Sequence, residues 1–178
     1  MTETVAPPVS ADEDLLLERQ LCFALTVASR SVVGAYKPVL DTMGLTHPQY
    51  LVMLCLWESS PRSVRDISEA LAQEPATISP LLRRLEAAGY ITRERAAGNE
   101  RSLAVGLTPE GAALRQQATA VPGTMMALLG LDREQVAELH GTMMRLIAAT
   151  RSPGAAPGAA PEAGHQAGSP GSPEAVQR

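Results

Sequence analysis

Residues 63–95, SVRDISEALAQEPATISPLLRRLEAAGYITRER, constrain the fold more than any other stretch of the chain. Their apolar spacing predicts a short helix over about residues 65–72, a tight turn through QEPAT, and a second helix over about residues 76–88. Gly89 follows, where helices commonly end in a left-handed conformation. The next segments, YITRER, AAGNE and RSLAVGLT, predict two strands joined by a turn, because apolar and polar residues alternate in them.

The order helix, turn, helix and hairpin is typical of winged helix-turn-helix domains. Helical spacing over about residues 12–41 predicts a long helix, with a bend near Pro38. Thr46 can cap a second helix, PQYLVMLCLWE, which must be buried because it is apolar on most sides. Thr108 can cap a helix in TPEGAALRQQA, and a last helix is expected over about residues 132–150. We predict a mainly α fold with a small β-hairpin wing.

A length of 178 residues favours one domain. The last stretch is dominated by Pro, Gly, Ala and Ser without aliphatic periodicity, which is typical of disorder. The predicted segments are a flexible leader (1–10), a folded unit (11–150) with a DNA-binding lobe (about 62–108) and dimerisation helices (about 11–45 and 109–150), and a disordered tail (151–178).

The distribution of charge is compatible with DNA binding although the net charge is −4. Seven of the 15 basic residues lie between Arg62 and Arg101 with six acidic ones, so this segment carries +1 and the remainder −5. The acidic start is no signal peptide, and no apolar run reaches the ~20 residues of a membrane span. Two cysteines do not make a disulfide framework. We therefore expect a cytoplasmic protein without a membrane partner.

The start of the second helix in a helix-turn-helix meets base edges in the major groove. Thr77 and Ser79 are short donors and acceptors there, while Arg83 and Arg84 can hold phosphate or guanine. Pro80 is expected in the first helical turn, where its missing N–H costs little. A solvated helix face that uses arginine for solubility remains an alternative.

The predicted wing supplies the other DNA-binding candidates. Arg101 lies beside small residues at the hairpin tip, as a minor-groove probe requires, although an ordinary exposed turn arginine would look the same. Arg93 and Asn99 complete the candidate set.

Several motifs resemble the MarR family of dimeric winged-helix repressors over roughly residues 15–150: LTHPQYLVMLCLWE, ISEAL, TISPLLRRLEAAGYITRER, NERS and LTPEG. More narrowly, QLCFAL, ASR, YKPVLD, PQYLVMLCLWE and VPGTMM resemble its organic hydroperoxide sensor subgroup, OhrR, in the one-cysteine type. The resemblance implies an intertwined homodimer whose first and last helices interleave. It also implies two lobes that read a pseudo-palindromic operator in double-stranded DNA.

The resemblance further implies that Cys22 is the oxidant sensor and that an organic hydroperoxide is the inducer. Free cysteine is usually buried and inert, and Cys55, inside LVMLCLW, is assigned to the core. Tyr36 matches a tyrosine that hydrogen-bonds the thiolate in the subgroup. Because Tyr36 follows Cys22 by 14 residues on one predicted helix, ~21 Å along its axis, only the partner's Tyr36 could reach that sulfur. A core tyrosine with its hydroxyl at the rim is the alternative.

The chain departs from the subgroup at three positions. His47 replaces the second tyrosine and can donate a hydrogen bond, more strongly if protonated, although it could equally be a plain residue of a surface turn. Thr26 replaces a further tyrosine. Asn99 replaces an aspartate of the wing and so lacks the charge that would orient Arg101.

No cysteine follows Cys55, so oxidation of Cys22 should stop at sulfenic acid, form a mixed disulfide with a small thiol, or proceed to over-oxidation. Three other functions remain as alternatives. The first is a MarR-like repressor that is relieved by a small aromatic ligand, with Cys22 merely packing in the core. The others are a thiol peroxidase and a protein-interaction module. We expect no enzyme, because no acid or base cluster accompanies Cys22 and the remaining histidines, His140 and His165, are isolated. Two distant cysteines and three scattered histidines suggest no metal site, and no cofactor is expected.

Overall fold

The computed structural model describes residues 13–96 and 99–151, with the backbone alone at positions 95, 96 and 99–102. The predicted leader over residues 1–10 and the predicted tail beyond residue 151 lie outside this part. The chain divides after Arg133 into two compact units.

Seven helices and three strands occur in the described part of the chain. The helices are α1 (Leu21–Asp41), α2 (His47–Glu58), α3 (Val64–Ala70), α4 (Pro75–Ala87), α5 (Pro109–Ala118), α6 (Val121–Leu129) and α7 (Arg133–Arg151). The strands are β1 (Arg62–Ser63), β2 (Ile91–Ala96) and β3 (Asn99–Leu107). Helix α7, apart from its first residue Arg133, forms the described part of the second unit, and all other elements belong to the first.

The first helix is shorter than predicted. Residues 13–19 form two 3₁₀ turns, and α1 begins only at Leu21. The prediction of a helix from residue 12 was wrong because Leu16 and Gln20 adopt extended backbone conformations, with ψ of 133° and 118°, which interrupt helical hydrogen bonding. Pro38 lies inside α1, as expected.

Helix α2 follows the predicted bounds closely. The Gln49 side-chain oxygen accepts hydrogen bonds from the Thr46 backbone N–H at 2.8 Å and from the Thr46 hydroxyl at 2.9 Å, which fixes the start of the helix. Val52, Met53 and Leu56 are buried, so α2 forms the centre of the first unit.

Local signals also define the helix-turn-helix. The Ser63 hydroxyl accepts a hydrogen bond from the Asp66 N–H, and the Asp66 carboxylate accepts one from the Ser63 N–H. The two bonds form a capping box at the start of α3. Ala72 turns the chain toward α4 with φ of 50°, a conformation that is costly for a residue with a Cβ. Gly89 ends the segment with φ of 77°, as predicted.

The three strands form one antiparallel sheet in the order β1-β3-β2. The predicted hairpin is confirmed, with Ile91 opposite Leu107 and Arg93 opposite Val105. Strand β1 was not predicted, because its two residues are too short for any periodic pattern. Helix α6 was not predicted either.

A single hydrophobic core joins the helix-turn-helix, the wing and the end of α1. Its fully buried large side chains are Leu40, Val52, Met53, Leu56, Ile67, Ile78, Leu82, Leu85, Ile91 and Val105. None of the described helices is both long enough and apolar enough to cross a membrane.

Candidate DNA-binding surface and redox site

Helix α4 presents two chemically different faces. Ile78, Leu82 and Leu85 are buried at the spacing of one helix face. Arg83 and Arg84 are exposed, and neither belongs to a salt bridge within residues 13–96 and 99–151. Their guanidinium groups are therefore available to an anionic partner.

Three further candidates lie near the start of α4. Thr77 is exposed, whereas the Ser79 hydroxyl donates to the Pro75 carbonyl at 2.8 Å and only its lone pairs remain for a partner. The expectation that Pro80 lies in the first turn was wrong: Pro75 opens the helix, so Pro80 stands in the second turn. There it removes the N–H that would bond to the carbonyl of Ala76.

Arg93 is engaged inside the chain. Its Nε donates to Glu86 Oε2 at 2.8 Å, and one of its terminal nitrogens donates to the same oxygen. Glu86 lies on α4 and Arg93 on β2, so this pair ties the second helix of the motif to the wing. The arginine holds the pKa of the Glu86 carboxyl below its usual value, chiefly through this hydrogen bond. Asn99 and Arg101 lie in β3, and their side chains are outside the described part.

The two cysteines occupy opposite environments. Cys22 is exposed at the second residue of α1, and the Thr26 hydroxyl donates to the Cys22 carbonyl at 2.7 Å. Cys55 is buried in α2, where desolvation raises the pKa of its thiol despite the neighbouring Arg62. The thiolate form that reacts with peroxides is therefore disfavoured at Cys55.

Tyr36 and His47, the two predicted partners of the sulfur, lie together in the first unit. Their ring centroids are 5.0 Å apart, although one residue belongs to α1 and the other begins α2. Burial lowers the pKa of His47, which favours the neutral imidazole. Cys22 and Tyr36 share the uninterrupted helix α1, which keeps them ~21 Å apart along its axis.

Two aromatic residues that were predicted only as core extend this pair. Tyr50 lies 6.0 Å from Tyr36, and Trp57 lies 6.2 Å from Tyr50, between ring centroids. Burial and the nearby Tyr36 raise the pKa of Tyr50. The seven-residue spacing of Tyr50 and Trp57 within α2 was the available signal, because it places both rings on one helix face.

A cavity of about 320 Å³ adjoins His47. Its lining residues come from α1, from the loop that follows it and from the start of α2: Val33, Gly34, Lys37, Asp41, Leu45, Thr46, His47 and Pro48. No group of three or more histidine, cysteine, aspartate or glutamate residues converges within residues 13–96 and 99–151 to hold a metal ion.

Comparison with known proteins identifies relatives over most of the chain. The sequence model of the MarR family matches residues 45–103. The organic hydroperoxide resistance transcriptional regulator of Bacillus subtilis is 38% identical over 135 residues, which cover 76% of this chain and 92% of the relative.

Solved structures of AbfR from Staphylococcus epidermidis are also similar. Reduced AbfR bound to DNA has a TM-score of 0.61 and 34% identity, covering 78% of this chain and 99% of that one. Overoxidized AbfR bound to DNA has a TM-score of 0.57 and 35% identity, covering 73% and 95%. The winged helix-turn-helix, the exposed basic face of α4 and these relatives lead to one conclusion: the chain belongs to the MarR family of DNA-binding transcriptional regulators.

Proposed function

We propose that this regulator is a homodimeric repressor that senses organic hydroperoxides through Cys22 and then releases its operator. One observation carries the proposal: Cys22 is exposed at one end of α1, while Tyr36 lies at the other end in contact with His47. If the α1 helices of two chains lie antiparallel, each sulfur meets the partner's Tyr36 and His47. The relationship to the Bacillus subtilis regulator of organic hydroperoxide resistance supports this assignment.

Exposed apolar side chains support the dimer. Leu15, Leu17 and Leu21 expose 80%, 63% and 62% of their surface, although leucine usually loses its contact with water on folding. In α7, Leu139, Met144 and Ile147 are similarly exposed. Burial of these residues would contribute about 25 cal/mol per Å² of apolar surface. We therefore assign residues 11–45 and 109–150 to dimerisation.

The sensing reaction is a two-electron oxidation of the thiolate. The sulfur attacks the terminal oxygen of the hydroperoxide, the O–O bond breaks, and an S–O bond forms. The products are Cys22 sulfenic acid and the alcohol, which takes the proton that the thiol gave up. Tyr36 and His47 of the partner subunit would donate hydrogen bonds to the thiolate, and the cavity beside His47 offers space for the organic group.

A second step gives a bulkier product. A small thiol can condense with the sulfenic acid, forming an S–S bond and releasing water. We assign operator release to the sulfenic acid and to this mixed disulfide, because the overoxidized form of AbfR is bound to DNA. Either product would disturb packing between long helices and change the spacing of the two α4 helices.

The DNA-binding lobe spans about residues 62–108 in this proposal. Thr77, Ser79 and Pro80 face the major groove, and Arg83 and Arg84 hold phosphate or guanine. Asn99 and Arg101 carry the wing contact, while Arg93 acts by positioning the wing through Glu86. Because the half-sites of a dimer are one helical turn apart, a small change in lobe spacing weakens both sets of contacts.

The test is a DNA-binding titration with the full-length protein and a duplex that the protein selects from random sequence. Cumene hydroperoxide should weaken binding about a hundredfold, equivalent to ~2.7 kcal/mol. The Cys22→Ser variant should bind the duplex equally well with and without hydroperoxide. Release of DNA by the Cys22→Ser variant, or insensitivity of the unmutated protein, would contradict the proposal.

A repressor relieved by a small aromatic ligand is the second candidate, favoured by one observation. The lining of a cavity of about 380 Å³ includes Tyr50, Trp57, Glu58 and Arg115, so aromatic walls lie beside one guanidinium and one carboxylate group. The same titration distinguishes the two functions. A ligand-relieved repressor would release DNA with an aromatic carboxylate such as salicylate and would ignore hydroperoxide.

A further inference from the structure

Trp57 links the aromatic row of the sensor region to the base of the DNA-binding lobe. The row runs from His47 through Tyr36 and Tyr50 to Trp57, with ring centroids 5.0 to 6.2 Å apart. At its end, Trp57 Nε1 donates a 2.8 Å hydrogen bond to the carbonyl of Gly111 in the first turn of α5. The bond joins residues 54 positions apart in the sequence.

Gly111 is packed directly against Tyr90, in the turn between α4 and the wing. A Cβ at this position would lie 1.9 Å from the carbonyl oxygen of Tyr90, which is closer than real Cβ atoms approach. Tyr90 separates the end of α4 from the start of β2. Only glycine therefore allows α5 to approach this turn so closely, and we expect a displacement of the Gly111 backbone to move the turn as well.

Thr108 makes three more hydrogen bonds that connect α5 to the turn between α4 and the wing. Its hydroxyl donates to the Gly89 carbonyl at 2.6 Å and accepts from the Gly111 N–H at 3.0 Å. Its backbone N–H donates to the Tyr90 carbonyl at 3.1 Å. These bonds connect the end of α4, the base of the wing and the start of α5. The hydrogen bond of Trp57 connects α2 to the same group of segments.

We propose that the Trp57–Gly111 hydrogen bond transmits the state of the Cys22 site to α4 and the wing. This inference rests on the proposed function and adds the route by which it acts. A change at the Tyr36–His47 contact displaces the neighbouring rings of α2, since close-packed side chains have few alternative arrangements. Trp57 then moves the Gly111 carbonyl, and with it the turn at Tyr90. Trp57 and Gly111 are positioning residues that touch neither hydroperoxide nor DNA.

Trp57→Phe tests the inference, because it keeps an aromatic ring while it removes the N–H donor together with part of the indole ring system. The measured quantity is the ratio of DNA affinities before and after cumene hydroperoxide treatment. One neutral hydrogen bond corresponds to a factor of about five, so a ratio of about a hundred should fall to roughly twenty. Ser68→Ala is the matched control, since it removes another 2.8 Å bond, from the Ser68 hydroxyl to the Val64 carbonyl of α3. The control should keep the full ratio.

The fluorescence of the unmutated protein provides a measurement that needs no variant. Trp57 is the single tryptophan of the chain, so the emission of the protein reports on the surroundings of this ring, which include the Gly111 bond. Hydroperoxide should shift this emission in the unmutated protein and leave it unchanged in Cys22→Ser. Operator release without an emission shift, or a full affinity ratio in Trp57→Phe, would overturn the inference while leaving the sensor function intact. If the DNA affinity of the unmutated protein does not change with hydroperoxide, both the sensor function and this inference are contradicted.

Discussion

The rings of Tyr36 and His47 lie 5.0 Å apart between centroids, with their planes inclined by 59°. The contact joins α1 to the first residue of α2 and places two hydrogen-bonding groups side by side. Cys22 lies on the same α1 helix as Tyr36, ~21 Å away along its axis. The sulfur and its proposed partners can therefore meet only between two chains.

Replacing His47 should change how stability depends on pH. Burial lowers the pKa of His47 in the folded chain below its ordinary value of 6.5, so the unfolded chain binds the proton first as the pH falls. The histidine therefore contributes stability fully above pH 6.5 and loses it as the pH falls through the folded-state pKa. Urea denaturation between pH 5.5 and 7.5 should show a flatter stability profile for His47→Gln than for the unmutated protein. An equally steep profile in both would contradict the effect of burial at His47.

A mixed dimer should show whether the site is shared between chains. One chain carries Cys22→Ser and the other Tyr36→Phe, so a shared arrangement leaves one complete site, whereas an arrangement within one chain leaves none. The remaining Cys22 should be oxidised by cumene hydroperoxide at the unmutated rate, measured by intact mass spectrometry. In the Tyr36→Phe homodimer the rate should fall roughly tenfold, because a hydrogen bond to a charged group is worth ~1.5 kcal/mol. An equally slow mixed dimer would argue against sharing.

Gly111→Ala should destabilise the first unit strongly. The added Cβ would lie 1.9 Å from the Tyr90 carbonyl oxygen, so the backbone must move, at a cost of about 3 kcal/mol or more. Gly123→Ala in α6 is the matched control, because nothing lies within 4 Å of its added Cβ. Alanine favours a helix over glycine by ~1 kcal/mol, so this control should be neutral or stabilising in urea denaturation. Equal stability of the two variants would show that α5 does not need its close approach to Tyr90.

Arg93 should affect DNA binding through Glu86 rather than through phosphate. Both Arg93→Gln and Glu86→Gln break the pair between α4 and β2, so both should weaken operator binding. Weaker operator binding by Glu86→Gln would point to the broken pair as its cause, because removal of a negative charge alone should strengthen attraction to DNA. Arg83→Ala is the contrast: it should reduce the slope of log affinity against log salt by about 0.9, the value for one lost phosphate contact. A normal slope in Arg83→Ala, or tighter binding by Glu86→Gln, would count against these roles.

Much of the winged helix-turn-helix could be predicted because its signals are local. The burial of Ile78, Leu82 and Leu85 follows helical spacing, and Gly89 takes the left-handed conformation that ends α4. The start of α1 could not be predicted so well. Leu15, Cys22 and Leu25 fit a helical pattern, but extended backbone at residues 16 and 20 breaks it.

The contacts that organise the site depend on tertiary structure and were beyond sequence reasoning. From the sequence, Arg93 was predicted only as one more DNA-binding residue. In the structure it pairs with Glu86, across the turn between α4 and β2. Trp57 seemed an ordinary core residue, because its partner Gly111 is 54 positions away. Residue type and spacing identified candidate side chains, but which residues pair with them could be seen only in the folded chain.

We expect oxidation of Cys22 to lower the affinity of the dimer for DNA, and the proposed function depends on this expectation. Its most direct test follows one sample by intact mass spectrometry and DNA-binding anisotropy while cumene hydroperoxide is added in portions, with and without a small thiol. We predict that affinity falls in proportion to the fraction of chains carrying one added oxygen or one added thiol at Cys22. If a sample whose Cys22 is completely converted to either product still binds DNA with full affinity, Cys22 is not the sensor.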